Sequence, residues 1–340
     1  MTTRLALRAA AALFIAALGA CGRAGAPQGG ETPGEIHFAV VSPEPRAADQ
    51  AWRPILADMQ ARTGLHVTIR VFGTDAEMVR ALRDKAVDAG LFSNPAAMAA
   101  TKDGGGEVFA RTDPPDAAAA RGSVLIANAK RGLALDKALS CRRPLGLGMG
   151  EASSVPETLA PLTYLFAPRG IDPAACFKPV RVGSGSLADL AATAAGDLDL
   201  ATIDAAVFDQ DRVRNGKASA AVTVLWRSPP LPQDPVLRRK SLDPVVKEKL
   251  RQFFLTYGQG GSPDAAKARA ALARVPAGGF EPADDAHLLP MREMAAAGEL
   301  LAAKRSGDQA RVEAAGAALN AATAQRQDLE ARTGSPAAAQ

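Results

Sequence analysis

Short apolar runs of strand character alternate with stretches of helical period along most of this chain. Ile36-His37-Phe38-Ala39-Val40-Val41 reads as a strand, Ala47 to Thr63 as a helix and Val67 to Phe72 as a second strand. Gly64 suits the end of that helix. Asp75 to Lys85 repeats apolar residues at helical spacing, Val87 to Phe92 is a third strand, and Pro95 opens a short helix from its first turn. A βαβαβ run of this kind predicts a parallel sheet. After a polar break at Lys102 to Gly106, the run Gly122 to Ala127 reads as a strand crossing out of a first lobe. A second βαβαβ set follows: Pro144 to Met149, a helix from about Pro156 to Phe166, Pro179 to Gly183, a helix from Leu187 to Ala195, and Leu198 to Ile203. Ala221 to Trp226 is a return strand ending in Ser228-Pro229-Pro230-Leu231-Pro232, whose prolines cannot continue a central strand. Helices from Pro244 to Tyr257 and Pro263 to Ala273 are expected to cap the first lobe.

The last sixty or so residues are helical by propensity. Leu300, Leu301, Val312, Leu319 and Leu329 keep no heptad, and Gly298, Gly307 and Gly316 each cost about 1 kcal/mol relative to alanine. One packing helix with a fraying tail is the expectation there.

The amino-terminal pattern is different. Arg4 and Arg8 precede an apolar run, Ala9 to Leu18, that ends in Leu18-Gly19-Ala20-Cys21. This resembles a bacterial lipoprotein signal and is too short to span a bilayer. The resemblance implies cleavage before Cys21, acylation of its thiol and of the new amino terminus, and anchoring to membrane lipid through Cys21. An ordinary cleaved signal is the other reading, and both export the chain. Residues 22–35, GRAGAPQGGETPGE, have the composition of a flexible tether with an r.m.s. reach of roughly 20 Å.

Hydrophobic residues make up 47% of the 340 but aromatic residues only 4%, so Ala, Leu and Val must carry the packing and no aromatic strip is available to stack bases. The net charge of +4 is scattered along the chain. Nucleic acid is therefore excluded as a partner. His37, His66 and His287 share no metal-ligand spacing, and no zinc-protease, paired-cysteine, phosphate-loop or nucleophile-elbow motif is present. The sequence calls for no metal or cofactor, and an enzyme is the weaker class. Cys141 and Cys176 each lie a few residues before a strand-like stretch, which would bring them to one edge of adjacent parallel strands. A disulfide there would contribute roughly 3–4 kcal/mol in the chain-entropy account; two buried thiols are the other reading.

Ligands of open α/β sheets sit beyond the carboxyl ends of the strands, where helix starts offer free N–H groups and partial positive charge. Four loops qualify: Ser42-Pro43-Glu44, Ser93-Asn94-Pro95, Glu151-Ala152-Ser153-Ser154 and Ser184-Gly185-Ser186. Each serine could equally cap its own helix. Asp204 can bind a ligand amine or cap the helix after it, and Arg121 is a cation near the crossing.

Several strings in order resemble the periplasmic solute-binding proteins of phosphate, phosphite and phosphonate ABC importers. They are Trp52-Arg53-Pro54 before Thr63-Gly64, Val87-Asp88-Ala89-Gly90-Leu91-Phe92 before Asn94-Pro95-Ala96-Ala97, Leu225-Trp226-Arg227-Ser228-Pro229-Pro230, and Gly279-Phe280-Glu281-Pro282-Ala283-Asp284-Asp285. The resemblance runs from about Ile36 to His287. It implies a two-lobed type II periplasmic-binding-protein fold of α/β class, with two crossing strands and a C-terminal helix. Lobe 1 would comprise 36–122 and 228–284, lobe 2 residues 123–227, and the helix and tail 285–340. The implied function is a lipid-anchored receptor that captures a small polar solute and presents it to an inner-membrane ABC permease, its body in the periplasm; a non-transport accessory or sensor lipoprotein is the alternative.

By this resemblance the ligand-binding set is Pro43, Glu44, Ser93, Asn94, Pro95, Met98, Ser153, Ser154, Glu157, Ser184, Ser186 and Asp204. The family's Ser-Thr-Ser-Gly run stands here as Ser154-Val155-Pro156-Glu157, its Ser-His pair as Gly185-Ser186, and its tyrosine after Asn-Pro-Ala-Ala as Met98. Glu157, three residues after Ser154, has the spacing of a capping box. Its charge would oppose an oxyanion at that helix start.

Overall fold

The computed structural model describes residues 35–113, 122–152, 154–275 and 277–333. Cys21, residues 22–34 of the tether, Arg121 and Ser153 lie outside them; Glu35, expected to close the tether, is instead paired with His66 in a strand. The first lobe opens with β1 (Glu35–Val41), α1 (Pro45–Thr63), β2 (His66–Phe72), α2 (Asp75–Arg83), β3 (Ala89–Leu91), α3 (Asn94–Lys102) and β4 (Gly106–Asp113). The second contains β5 (Ser123–Asn128), α4 (Leu135–Ala138), β6 (Leu147–Met149), α5 (Pro173–Cys176), β7 (Val180–Val182), α6 (Ser186–Ala195), β8 (Leu200–Asp204), α7 (Ala205–Val213), α8 (Lys217–Ala220) and β9 (Val222–Arg227). The chain then returns through β10 (Pro235–Arg239), α9 (Pro244–Thr256), α10 (Pro263–Leu272) and β11 (Gly279–Pro282), and ends in α11 (Leu289–Ser306) and α12 (Gln309–Thr333).

Two sheets result, ordered β11-β4-β10-β3-β1-β2 and β7-β6-β8-β5-β9. In the first, β1 runs parallel to β2 and β3, and β10 returns antiparallel between β3 and β4. Gly90 is required where β3 passes β1: a Cβ there would sit 2.5 Å from the Ala39 carbonyl oxygen. In the second, β6 is parallel to β7 and β8, while β5 is antiparallel to β8 and β9. The run from Gly122 was expected to make the crossing itself. Instead β5 lies wholly inside the second sheet, and the chain returns to the first through the proline-rich segment 228–234. The start of β5 and the start of that segment are tied side by side, since the Ser123 N–H donates to Ser228 Oγ at 2.9 Å and the Ser228 N–H to the Ser123 carbonyl at 2.8 Å.

Most of the few aromatic residues are gathered in lobe 1. Phe254 of α9 stacks on Phe38 and packs edge-on against Phe109 and Phe280, with ring centroids 4.7–5.7 Å apart. Trp52 of α1 closes on Phe38 at 5.1 Å. The opposite face of this sheet is covered by α2 and α3 through Met78, Leu82, Phe92 and the small residues Ala96, Ala97 and Ala100. Lobe 2 packs mainly aliphatic residues around Leu125, Leu147, Leu165 and Leu200, with Phe166 and Phe177 as its aromatic pair. Cys141 and Cys176 are joined by a disulfide at its edge, their Cα atoms 4.8 Å apart.

Three expectations need correction. The polar stretch after Lys102 leads into β4, which the charged residues Glu107 and Arg111 disguise; each pairs across the sheet, with Arg238 and Glu281. The segment expected as a helix from Pro156 to Phe166 is two consecutive π-type turns, Val155–Leu159 and Pro161–Phe166. Pro161 has no N–H to give the Glu157 carbonyl, which instead accepts Thr202 Oγ1 at 2.6 Å. Finally, the C-terminal region is an antiparallel pair of helices instead of one helix with a frayed tail. Gly307, at φ +70°, reverses the chain, and the buried Ala297, Ala303, Ala315 and Ala322 permit close approach.

The pair is stitched by Glu293, a buried carboxylate that accepts from Arg326 Nε at 2.6 Å, Thr323 Oγ1 at 2.8 Å and Tyr164 Oη of lobe 2 at 3.3 Å. Burial and the Glu293 charge raise the Tyr164 phenol well above its ordinary range, so it stays a donor. The segment before α11 is held in lobe 1: Asp285 accepts the Val108 N–H at 2.8 Å, and His287 Nε2 donates to the Gln233 carbonyl at 2.7 Å. Farther along α11, Arg305 grips Asp172 of lobe 2 through two bonds of 2.6 and 2.8 Å.

Candidate functional site

Beyond the carboxyl ends of β1 and β3 lies a cavity of about 490 Å³ with Val40, Val41, Trp52, Leu91 and Phe92 as apolar wall. Its polar lining is Ser42, Asp75, Ser93, Asp234 and Arg274. Ser93 caps α3, accepting the Ala96 N–H at 3.2 Å, and donates its own proton to Asp75 Oδ2 at 2.5 Å. Ser42 Oγ accepts the Glu44 N–H at 3.1 Å, which leaves its proton directed elsewhere; Pro43 and Glu44 are exposed. Neither α1 nor α3 carries an acid in its first turn. Arg274 is exposed at the rim and forms no ion pair with any described residue.

Asn94 is 1% exposed and faces the return crossing, where its Nδ2 donates to the Pro232 carbonyl at 2.9 Å and toward Asp234 Oδ1 at 3.4 Å. Pro95 stands in the first turn of α3. Met98 packs from α3 toward Leu231, Met291 and Met294, a cluster that also takes in Ala160 of lobe 2. Asn94 and Met98 thus join lobe 1 to what crosses it.

In lobe 2, Ser154, Glu157, Ser186 and Asp204 come together. Ser154 accepts the Glu157 N–H at 3.3 Å, as a cap should. The expected return bond is absent: the Ser154 N–H donates to the Glu151 carbonyl at 2.9 Å, and no capping box closes. The π-type start is the reason, since the Leu159 N–H also reaches back to the Ser154 carbonyl and widens the turn. The Glu157 carboxylate instead accepts from Ser154 Oγ at 3.2 Å and from Ser186 Oγ. Ser186 Oγ in turn accepts the Asp204 N–H at 2.9 Å. Asp204 caps α7 by accepting the Ala206 N–H at 2.8 Å, while Ser184 is exposed. Behind them Asp189 is buried on α6, and desolvation raises its carboxyl pKa against the pull of Arg181 at 2.7 Å; the Glu157 charge pushes it the same way as burial.

Asp75, Asp234 and Arg274 are lining residues that the sequence reading did not single out. Asp75 stands after β2, at a helix start, so the rule that selected the other loops would have found it. Asp234 and Arg274 arrive from distant returns of the chain, and no local pattern marks them. Among the described residues no group of three or more His, Cys, Asp or Glu could hold a metal ion, and no helix is long and apolar enough to cross a membrane.

Residues 38–288 match the family described as ABC transporter, phosphonate, periplasmic substrate-binding protein. The phosphonates-binding periplasmic protein of Escherichia coli K12 is 30% identical over 262 residues, covering 76% of this chain and 75% of its own. A binding protein component of an ABC phosphonate transporter from Pseudomonas aeruginosa superposes with a TM-score of 0.62 at 28% identity, over 88% of this chain and 98% of its own. PhnD1 from Prochlorococcus marinus, solved with methylphosphonate, aligns with a TM-score of 0.57 over 77% of this chain and 97% of its own; at 16% identity that likeness is one of fold. The architecture is that of type II periplasmic binding proteins. These relatives are transporter binding components and not enzymes, and this chain belongs to the family of periplasmic substrate-binding proteins of phosphonate ABC transporters.

Proposed function

We propose that this protein captures a small solute bearing a phosphonate- or phosphate-like oxyanion between its lobes and delivers it to an ABC permease. The observation that carries this reading is the lobe 1 cavity, which sets the Ser42 hydroxyl, the first turn of α3, which carries no acid, and Arg274, which forms no ion pair with any described residue, around one space beyond the strand ends. Asp75 beside them suits a solute that also carries a hydrogen-bond donor. Rotation of the lobes would occur at the paired crossings around Ser123 and Ser228. In the same reading Cys21 carries the lipid anchor, and the residues between it and β1 are the tether.

The test is thermal denaturation of the mature protein with methylphosphonate, inorganic phosphate and a phosphate monoester. Stabilisation should follow RT ln(1 + [L]/Kd), about 2.7 kcal/mol at a hundredfold excess over Kd. No shift with any of the three at millimolar concentration would sink the oxyanion reading. Mass measurement of the mature amino terminus tests the anchor: an unmodified Cys21, or an end elsewhere, refutes it.

A further inference from the structure

Glu157 is a half-buried carboxylate with no cationic partner among the described residues. What holds it is a pair of hydroxyls from separate parts of the chain, Ser154 at the start of the π-type segment and Ser186 at the start of α6. The side chain folds back over its own loop: a Cβ at Gly150 would collide with Oε2 and with the Glu157 Cβ, so only glycine allows the carboxylate to lie flat against the end of β6. Two hydroxyls, a glycine floor and the first turns of two helical segments surround one carboxylate. That is how a protein holds a free oxyanion, except that this one is attached to the chain.

Counting donors gives the consequence. A serine hydroxyl has one proton to donate. Ser154 and Ser186 both direct theirs at Glu157, and the Asp204 N–H is taken up by Ser186 Oγ. An incoming anion would meet a fixed negative charge, and neither Ser154 nor Ser186 would have a proton left to give it. We propose that Glu157 is a tethered anion that fills lobe 2's oxyanion seat, making it the residue that sets specificity by directing a solute's anionic group to lobe 1. The inference rests on the reading of the cleft as a solute site, but its test does not depend on that reading.

Glu157→Gly should empty the seat without disturbing the serines. Acetate, a free counterpart of the missing carboxylate, and inorganic phosphate should then raise the melting temperature of the variant at millimolar concentration. Wild type should show no response to acetate, and its affinity for phosphate should be at least about tenfold weaker than the variant's. Adding Ser186→Ala to the variant should abolish the acetate response. An acetate and phosphate response no larger than that of wild type would overturn the inference, whether or not wild type binds an oxyanion. Should the glycine variant fold poorly, Glu157→Gln keeps the shape and removes the charge. Methylphosphonate affinity should rise in that variant; a fall would make Glu157 a direct contact of the solute and overturn the proposal. A wild type that ignores every oxyanion while Glu157→Gly takes up acetate would instead refute the function and leave the role of Glu157 standing.

Discussion

The two lobes share an α/β plan but differ in how they are held and in what they expose. Lobe 1 concentrates the aromatic residues into one cluster around Phe254 and leaves a cavity open at its strand ends. Lobe 2 has a smaller, largely aliphatic core, a disulfide at its edge, and a loop cluster occupied by its own carboxylate. The difference separates stability from recognition. A lobe with a large core can leave polar groups around an open space; a lobe with shorter strands relies on a covalent link and an internally satisfied polar network.

The two tryptophans allow the lobes to be followed separately, since Trp52 lies in the lobe 1 cluster and Trp226 on β9 of lobe 2. The largest effect should come from Phe254→Ala, which removes the hub of the aromatic cluster and should cost about 4 kcal/mol in urea unfolding. The loss should appear first in Trp52 fluorescence; equal loss from both reporters would mean that the lobes unfold as one unit. Next, Cys141→Ser with Cys176→Ser should lower stability by roughly 3–4 kcal/mol, read mainly by Trp226. A reductant should weaken wild type and leave that variant unchanged. Ser93→Ala should remove the cap of α3 for about 1 kcal/mol while also loosening Asp75. If the lobe 1 cavity holds the solute, this variant should lose more affinity than stability.

The smallest effect is on pH. Burial lowers the His287 pKa below 6.5, with Arg111 acting in the same direction. The unfolded chain therefore binds the proton more readily, and the stability His287 contributes is present above pH ~6.5 and is lost as pH falls through its folded value. Asp189 in lobe 2 has the opposite sign: its raised pKa contributes stability at low pH that is lost as pH rises through the folded value. Mild acid should thus loosen lobe 1 before lobe 2, and His287→Gln should flatten the Trp52 response. Identical acid profiles from both tryptophans would count against this assignment.

The parts legible in the sequence were those written locally. β1, α1, β2 and α2 follow one another with clean periodicity, and Ser93, Ser154 and Asp204 cap the helices they precede. β4 and β10 were hidden because they pair across long separations, and their charges find partners only in the folded sheet. Arg239 of β10, for instance, is buried against Asp88 with bonds of 2.5 and 3.0 Å. The site shows the same division. Spacing alone suggested that Glu157 would cap its own helix, whereas its firmer partner, Ser186, stands 29 residues away on another element. A proline four residues beyond Glu157 altered the turn and released the side chain for that contact.

The C-terminal helix has a mechanical consequence. Two adjacent crossings define an axis, and a body joined to another only along an axis can swing about it freely. Here α11 starts from lobe 1 anchors at Asp285 and His287 and fastens to lobe 2 at Tyr164 and Asp172, so a third tether lies away from the crossings. Any swing of the lobes must stretch that tether, carry it along by bending near Leu288, or part Arg305 from Asp172. The travel of the cleft is therefore limited by a helix that lines no part of the lobe 1 cavity.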